Sequence, residues 1–225
     1  MITPPLTYRE VTIGNATLKK NSKGTFVLTV DDNVWMTLSP GHYSQLYQQL
    51  LEYEIGEGSC LITGLGLGGI TLLLAKKSNV THVTVYEKNT DIIKLFYYFC
   101  EINNISQEVL NKISIIEQDA NTIKDQAFDY GFFDHFELET GSYIIECVRN
   151  ISLNNNIKKI WFWPIGDMYL KWCINMDRTI DYTSLNEYIN IINIKNIFND
   201  INPLTHYFAI TGYCTNNKPH YMYGH

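Results

Sequence analysis

The sequence predicts an α/β fold in which a mostly parallel, twisted sheet carries helices on both faces and an N-terminal β-hairpin precedes it. Three observations support this. From Ser59 onward, short apolar runs of strand length alternate with segments of helical spacing, the pattern of a parallel sheet buried on both sides. A glycine-rich segment, Gly64-Leu65-Gly66-Leu67-Gly68-Gly69, joins the first of those runs to the first of those helices. Ahead of both, two β-type runs are separated by Lys19-Lys20-Asn21-Ser22-Lys23-Gly24, whose Asn, Ser and Gly suit a turn.

In chain order, residues 11–18 and 25–30 form the hairpin, and 34–38 form a further strand-like run that Ser39-Pro40-Gly41 stops. Leu46, Leu50 and Leu51 then recur at helical spacing up to Gly56, which predicts a lead-in helix. The first core strand is expected over 60–63, the glycine loop over 64–69 and a helix over 70–77. After a second strand over 83–86, Asn89-Thr90-Asp91 can cap a helix whose Ile92, Leu95, Phe96, Phe99 and Cys100 share one side. Strands follow over 113–116, 128–133 and 159–163, with a helix marked by Ile144, Val148 and Ile151 between the last two. A helix over 185–198 and a strand over 206–213 complete the order. The division expected is an N-terminal hairpin with its lead-in helix over 1–55 and an α/β domain over 56–225.

Composition narrows the function classes. The 225 residues suit one large domain with an appendage. At 45% hydrophobic and 18% charged, the chain has material for a substantial core and lacks the charge density of a disordered segment. Seventeen basic against 23 acidic residues leave a formal charge of -6, so no general field favours a phosphate backbone and nucleic acid is not an expected partner. No apolar run approaches the roughly 20 residues a bilayer-spanning helix needs, so no membrane partner is expected. Met1 to Glu10 contain two prolines, Arg9 and Glu10 where a secretory leader would be apolar. The five cysteines, Cys60, Cys100, Cys147, Cys173 and Cys214, are widely spaced and form no C-x-x-C pair. That pattern fits reduced thiols in the cytoplasm and predicts no metal site. A homo-oligomer is compatible with this composition.

Four strand-end features carry the chemistry. In the glycine loop, Gly64, Gly66 and Gly68 lack side chains and Leu65 offers an amide, so the backbone can approach a ligand at the start of a helix. Gly64, Gly66 and Gly69 also satisfy the dinucleotide pattern G-x-G-x-x-G, and glycine-rich turns occur without ligands as well. Glu87 follows the second strand about 20 residues beyond the loop, where a carboxylate can accept hydrogen bonds from both hydroxyls of a ribose. Lys88 stands next to it, so the plainer reading is a solvated strand end. Asp119 and Ala120, after the third strand, are placed to meet an adenine edge; alone, Asp119 would be an ordinary turn residue. Asp134 ends the fourth strand and lies beside the glycine loop if the first and fourth strands are neighbours, which would create the crevice where open α/β sheets bind ligands.

Together these features resemble the class I S-adenosylmethionine-dependent methyltransferases, with their Rossmann-like fold. The likeness covers roughly residues 25–165 and rests on residues 61–69, Val83-Thr84-Val85-Tyr86-Glu87, Asp119-Ala120 and the segment from Phe128 to Asp134. It is strongest to the spermidine synthase-like (aminopropyltransferase) branch and to small methyltransferase-like proteins of bacteriophages, in which a Val-Trp-Met strand precedes the helix and loop. The resemblance implies S-adenosylmethionine as cofactor, with the glycine loop at its methionine part, Glu87 at the ribose and Asp119 at the adenine. Asp134 and His135 are the candidate catalytic residues, as base or acceptor anchor; otherwise Asp134 caps a turn and His135 is a surface residue. His42 falls near the expected ligand mouth.

Departures from the family patterns shape the acceptor. Ile62 stands where many methyltransferases carry an acid, and Leu67 where aminopropyltransferases carry the acid that meets the amine. The Asp-Ser-x-Asp-Pro segment of the latter appears only as Asp134-His135-Phe136-Glu137. These losses argue against polyamine synthesis. The Asn/Asp-Pro-Pro-aromatic segment of many nucleic-acid methyltransferases is also missing, which leaves a small-molecule or protein acceptor. The main alternatives are an aminopropyltransferase using decarboxylated S-adenosylmethionine, a nicotinamide-dinucleotide domain and a catalytically silent binding protein. Trp161, Phe162, Trp163 and Trp172 read as core, and His220, Tyr221, Tyr223 and His225 lack metal-ligand spacing.

Overall fold

The computed structural model describes residues 6–38, 55–136 and 140–197. The chain begins with four antiparallel strands in sequential order, β1 (Val11–Ile13), β2 (Ala16–Lys20), β3 (Phe26–Val30) and β4 (Asn33–Leu38). The single strand expected over 11–18 is therefore two. Gly14, at φ 55°, starts a two-residue turn that pairs Ile13 with Ala16, and the alternation of apolar residues continues across it. Asn21 shapes the next turn by accepting the Lys23 and Thr25 amides on its side chain. Asp31 and Asp32, both at positive φ, join β3 to β4 in the mirror-image turn that matches strand twist.

Among the described residues the second sheet is parallel throughout, with β5 (Gly58–Thr63), β6 (Val80–Glu87), β7 (Ile113–Glu117), β8 (Ala127–Phe133) and β9 (Asn156–Phe162) in the spatial order β7-β6-β5-β8-β9. The helices between are α1 (Gly69–Lys76), α2 (Thr90–Ile102), α3 (Gln107–Leu110) and α4 (Gly141–Asn154), followed by α5 (Ile165–Asn175) and α6 (Tyr182–Ile192). The strand over 159–163 starts earlier than expected, because Asn156 already pairs with Ala127. The expected helix over 185–198 runs instead from Tyr182 to Ile192. A capping box between Asp181 and Ser184 starts it, and Asn193 in the left-handed conformation ends it. Helix α5 was not anticipated, although Ile165, Tyr169 and Cys173 recur every four residues and are buried.

Strand pleating sends alternate residues to two cores. Cys60, Ile62, Val83, Val85, Tyr130 and Phe132 meet α1, α2 and the inner residues Ala16, Leu18 and Leu28 of the antiparallel sheet. Leu61, Tyr86 and Phe133 face the other way, against α4, α5 and α6. The antiparallel sheet thus shares a core with the parallel one, docked on α2. Phe162 is fully buried, while Trp161 and Trp172 are partly buried against the core, in line with the core reading. Among the described residues, the thiols of Cys60, Cys100, Cys147 and Cys173 are buried and unpaired; burial pushes Cys60 and Cys100 up to about 12. No helix among the described residues is long and apolar enough to cross a membrane. The lead-in helix with Leu46, Leu50 and Leu51, the strand over 206–213, His42 and the His220-to-His225 tail lie outside the described residues.

Candidate functional site

The chain leaves β5 for β6 and β7, then returns to the other side of β5 as β8. At such a reversal, helices and loops diverge beyond the carboxyl ends of two neighbouring strands and leave a crevice. Three sequence-predicted groups converge there. Asp134 follows β8, and its amide donates to the Thr63 carbonyl at the end of β5 at 3.0 Å. Gly64 takes φ 83°, and a Cβ on it would collide with the Asp134 carbonyl oxygen, so only glycine lets the two strand ends approach this closely. Asp134 is exposed at that rim and Lys88 is exposed beyond β6.

Glu87 ends β6 and is only 7% exposed. Its Oε2 accepts the Leu65 amide at 2.9 Å, and its Oε1 accepts the Asn89 amide at 2.8 Å. The solvated strand-end reading is therefore replaced by a buried carboxylate that ties the glycine loop to the N-terminus of α2. Each carboxylate oxygen keeps further lone-pair capacity, which is the chemistry a vicinal diol needs. Asn89 caps α2 by accepting the Asp91 and Ile92 amides. The Lys94 ammonium holds the Asp91 carboxyl below its ordinary range, and the Asn15 amide assists.

The glycine loop is backed by the N-terminal elements. Tyr8 donates its hydroxyl to the Leu67 carbonyl at 3.3 Å, and burial raises its phenol well above the usual range. A Cβ on Gly66 would lie 3.2 Å from Met36 Sδ of β4. Gly68 abuts the Phe96 ring on α2. Leu65 and Leu67 are buried, so the loop alternates core-facing leucines with glycines.

Asp119 follows β7 and begins a short 3-10 turn (Ala120–Thr122), where its Oδ1 accepts the Asn121 amide. The turn-capping role is thus present, on the same rim that an adenine would need; Ala120 is buried behind it. His135 is not a loose surface residue. Its Nδ1 lies 2.7 Å from Thr63 Oγ1, its Nε2 lies 3.3 Å from Asn121 Oδ1, and its ring packs against Phe136. Sequence reasoning missed Thr63, Asn121, Tyr8 and Met36. Thr63 left a signal, a hydroxyl at the end of an apolar strand just before the glycines; Tyr8 left none. Asp129 belongs to the opposite end of the sheet, where it accepts the Ser59 amide and hydroxyl and pairs with Lys158. Among the described residues no group of His, Cys, Asp and Glu side chains stands ready to hold a metal.

The strand order, the reversal beside β5 and the acidic end of β6 define a Rossmann-like, doubly wound α/β fold. Solved structures are similar to this chain at low identity. Spermidine synthase from Thermotoga maritima is 14% identical, with 72% of this chain and 61% of that one aligned at a TM-score of 0.48. A spermidine synthase in complex with the transition-state analogue AdoDATO is 15% identical over 66% of this chain and 53% of that one, at a TM-score of 0.46. Coclaurine N-methyltransferase, bound to N-methylheliamine and S-adenosylhomocysteine, is 21% identical over 56% of this chain and 36% of that one, at a TM-score of 0.42. The aligned part spans less than two thirds of each of these proteins. No family model and no curated protein matches the sequence.

Proposed function

We propose that the protein is an S-adenosylmethionine-dependent transferase, most simply a methyltransferase acting on a small-molecule or protein acceptor. The observation that carries this reading is the buried Glu87 carboxylate fastened to the Leu65 amide, with Asp134 at the adjoining strand end. A nucleoside fits this donor and acceptor set: Glu87 for the ribose diol, the amides and glycines of 64–68 for the amino-acid part, and the turn at Asp119 and Ala120 for the base. Lys88 lines the outer edge. When bound, the sulfonium of S-adenosylmethionine supplies an electrophilic methyl carbon, so most of the acceleration comes from alignment. The chain's own task is then to hold the acceptor at the crevice between β5 and β8 and to receive its proton, for which Asp134 is the exposed carboxylate and His135 its neighbour.

Calorimetric titration with S-adenosylmethionine, S-adenosylhomocysteine, decarboxylated S-adenosylmethionine and NAD tests the reading. Micromolar binding of a sulfur nucleoside is expected, weakened about tenfold or more by Glu87→Ala, equivalent to about 1.4 kcal/mol. Preference for the decarboxylated form would move the assignment to aminopropyl transfer. Binding of NAD alone would overturn the choice of cofactor, and binding of none would leave a silent scaffold.

A further inference from the structure

Asp119, Asn121, His135 and Thr63 form one hydrogen-bonded chain across the rim, and its polarity can be read atom by atom. Asn121 donates to Asp119 Oδ1 through its backbone N–H at 2.9 Å and through Nδ2 at 3.2 Å. An ionised carboxylate only accepts, so the amide nitrogen of Asn121 faces it and the amide oxygen is turned away. That oxygen stands 3.3 Å from His135 Nε2. Because an amide oxygen also only accepts, Nε2 must carry a proton. In the neutral ring the lone pair then lies on Nδ1, 2.7 Å from Thr63 Oγ1. Thr63 is fully buried, and its hydroxyl satisfies its donor by giving its proton to that lone pair.

We infer that Asn121 is a positioning residue that fixes the tautomer of His135, with the proton on Nε2 and the lone pair committed to Thr63 instead of the crevice. The functional meaning rests on the transferase reading. His135 then serves as a fixed wall between the adenine-side turn and the strand-end carboxylate, and Asp134 is left as the proton acceptor. For Nδ1 to carry a proton, the Thr63 hydroxyl would have to turn from donor to acceptor, and its own buried hydrogen would lose the lone pair it is given to. The Phe136 ring, 4.8 Å from the imidazole centroid, holds the same orientation from the side.

Long-range nitrogen-15 correlation spectra of the full chain without ligand test this, with His135 assigned by its disappearance in His135→Gln. The expected wild-type signature is a protonated Nε2 and a pyridine-like, hydrogen-bonded Nδ1. Asn121→Ala removes the directional acceptor, so the two tautomers should mix; Asn121→Asp keeps an acceptor facing Nε2 but adds a carboxylate beside Asp119, so Nε2 should stay protonated and the ring should shift toward imidazolium instead of mixing its tautomers. A wild-type ring protonated on Nδ1 would overturn the inference. So would an unchanged signature in Asn121→Ala, or the same mixing in both variants. The spectra need no nucleoside, so failure of the calorimetric titration would remove the transferase reading while leaving the tautomer assignment standing, and the converse also holds.

Discussion

Glu87 and Leu65, 22 residues apart, are joined by a 2.9 Å bond from the loop amide to the carboxylate. The second carboxylate oxygen takes the Asn89 amide at 2.8 Å, so one buried side chain satisfies two backbone donors from different elements. Glu87→Ala strands both and is expected to destabilise the fold by about 1–3 kcal/mol. Glu87→Gln should recover only part of this, because its NH₂ would confront one of the two N–H groups. Denaturant unfolding at neutral pH checks the order wild type, Gln, Ala; a glutamine variant as stable as wild type would show that one of these bonds contributes nothing.

Gly64 offers a sharper test of the strand-end approach. Alanine there must take a positive φ and also displace the Asp134 backbone. A loss of roughly 2–4 kcal/mol is expected from the combined strain and overpacking. Gly68→Ala must also take a positive φ, but it meets the Phe96 side chain instead of backbone and should cost less. Thermal unfolding of the two variants should therefore rank Gly64→Ala below Gly68→Ala.

Thr63 and His135 should respond asymmetrically. His135→Ala leaves a fully buried hydroxyl without a partner, at about 1–3 kcal/mol, whereas Thr63→Val removes the donor from a ring that is only partly buried, at about 1 kcal/mol. The double variant should be less destabilised than the sum, because the pair is in direct contact. Strict additivity in equilibrium unfolding would dissolve the pairing.

Acid sensitivity is expected from the opposite end of the sheet. Hydrogen bonds from the Lys158 ammonium and from the Ser59 amide and hydroxyl hold the Asp129 carboxyl down to about 2. A carboxyl depressed in the folded state contributes stability above its unfolded value, near 3.9, and loses it as pH falls from there toward about 2. The group is one-third exposed, so the effect is modest. In Asp129→Asn this contribution is absent at every pH, so the stability gap from wild type should narrow across that window. A gap that stays constant between pH 5 and pH 2 would remove Asp129 as its source.

How much of this was legible beforehand follows from the range of each interaction. Strands β5 to β8, the glycine loop and Glu87 announce themselves through local apolar runs and fixed spacing, and the cap at Asn89 is written in adjacent residues. The break at Gly14-Asn15 was hidden because Val11, Ile13 and Leu18 read as one continuous β-type run. Helix α5 was obscured because it directly follows β9 after Trp163-Pro164, so its first residue extends the apolar run of the strand. The bond between Thr63 and His135 spans 72 residues and exists only because β8 returns beside β5. No local pattern carries such a contact.

The footing of the glycine loop on Tyr8 and Met36 bears on how the protein can be shortened. A fragment trimmed to the parallel sheet would expose Leu67 and the flank of α2 to water, so it would lack the support that shapes the crevice. Expression boundaries and affinity tags are best chosen to leave the first 38 residues in place.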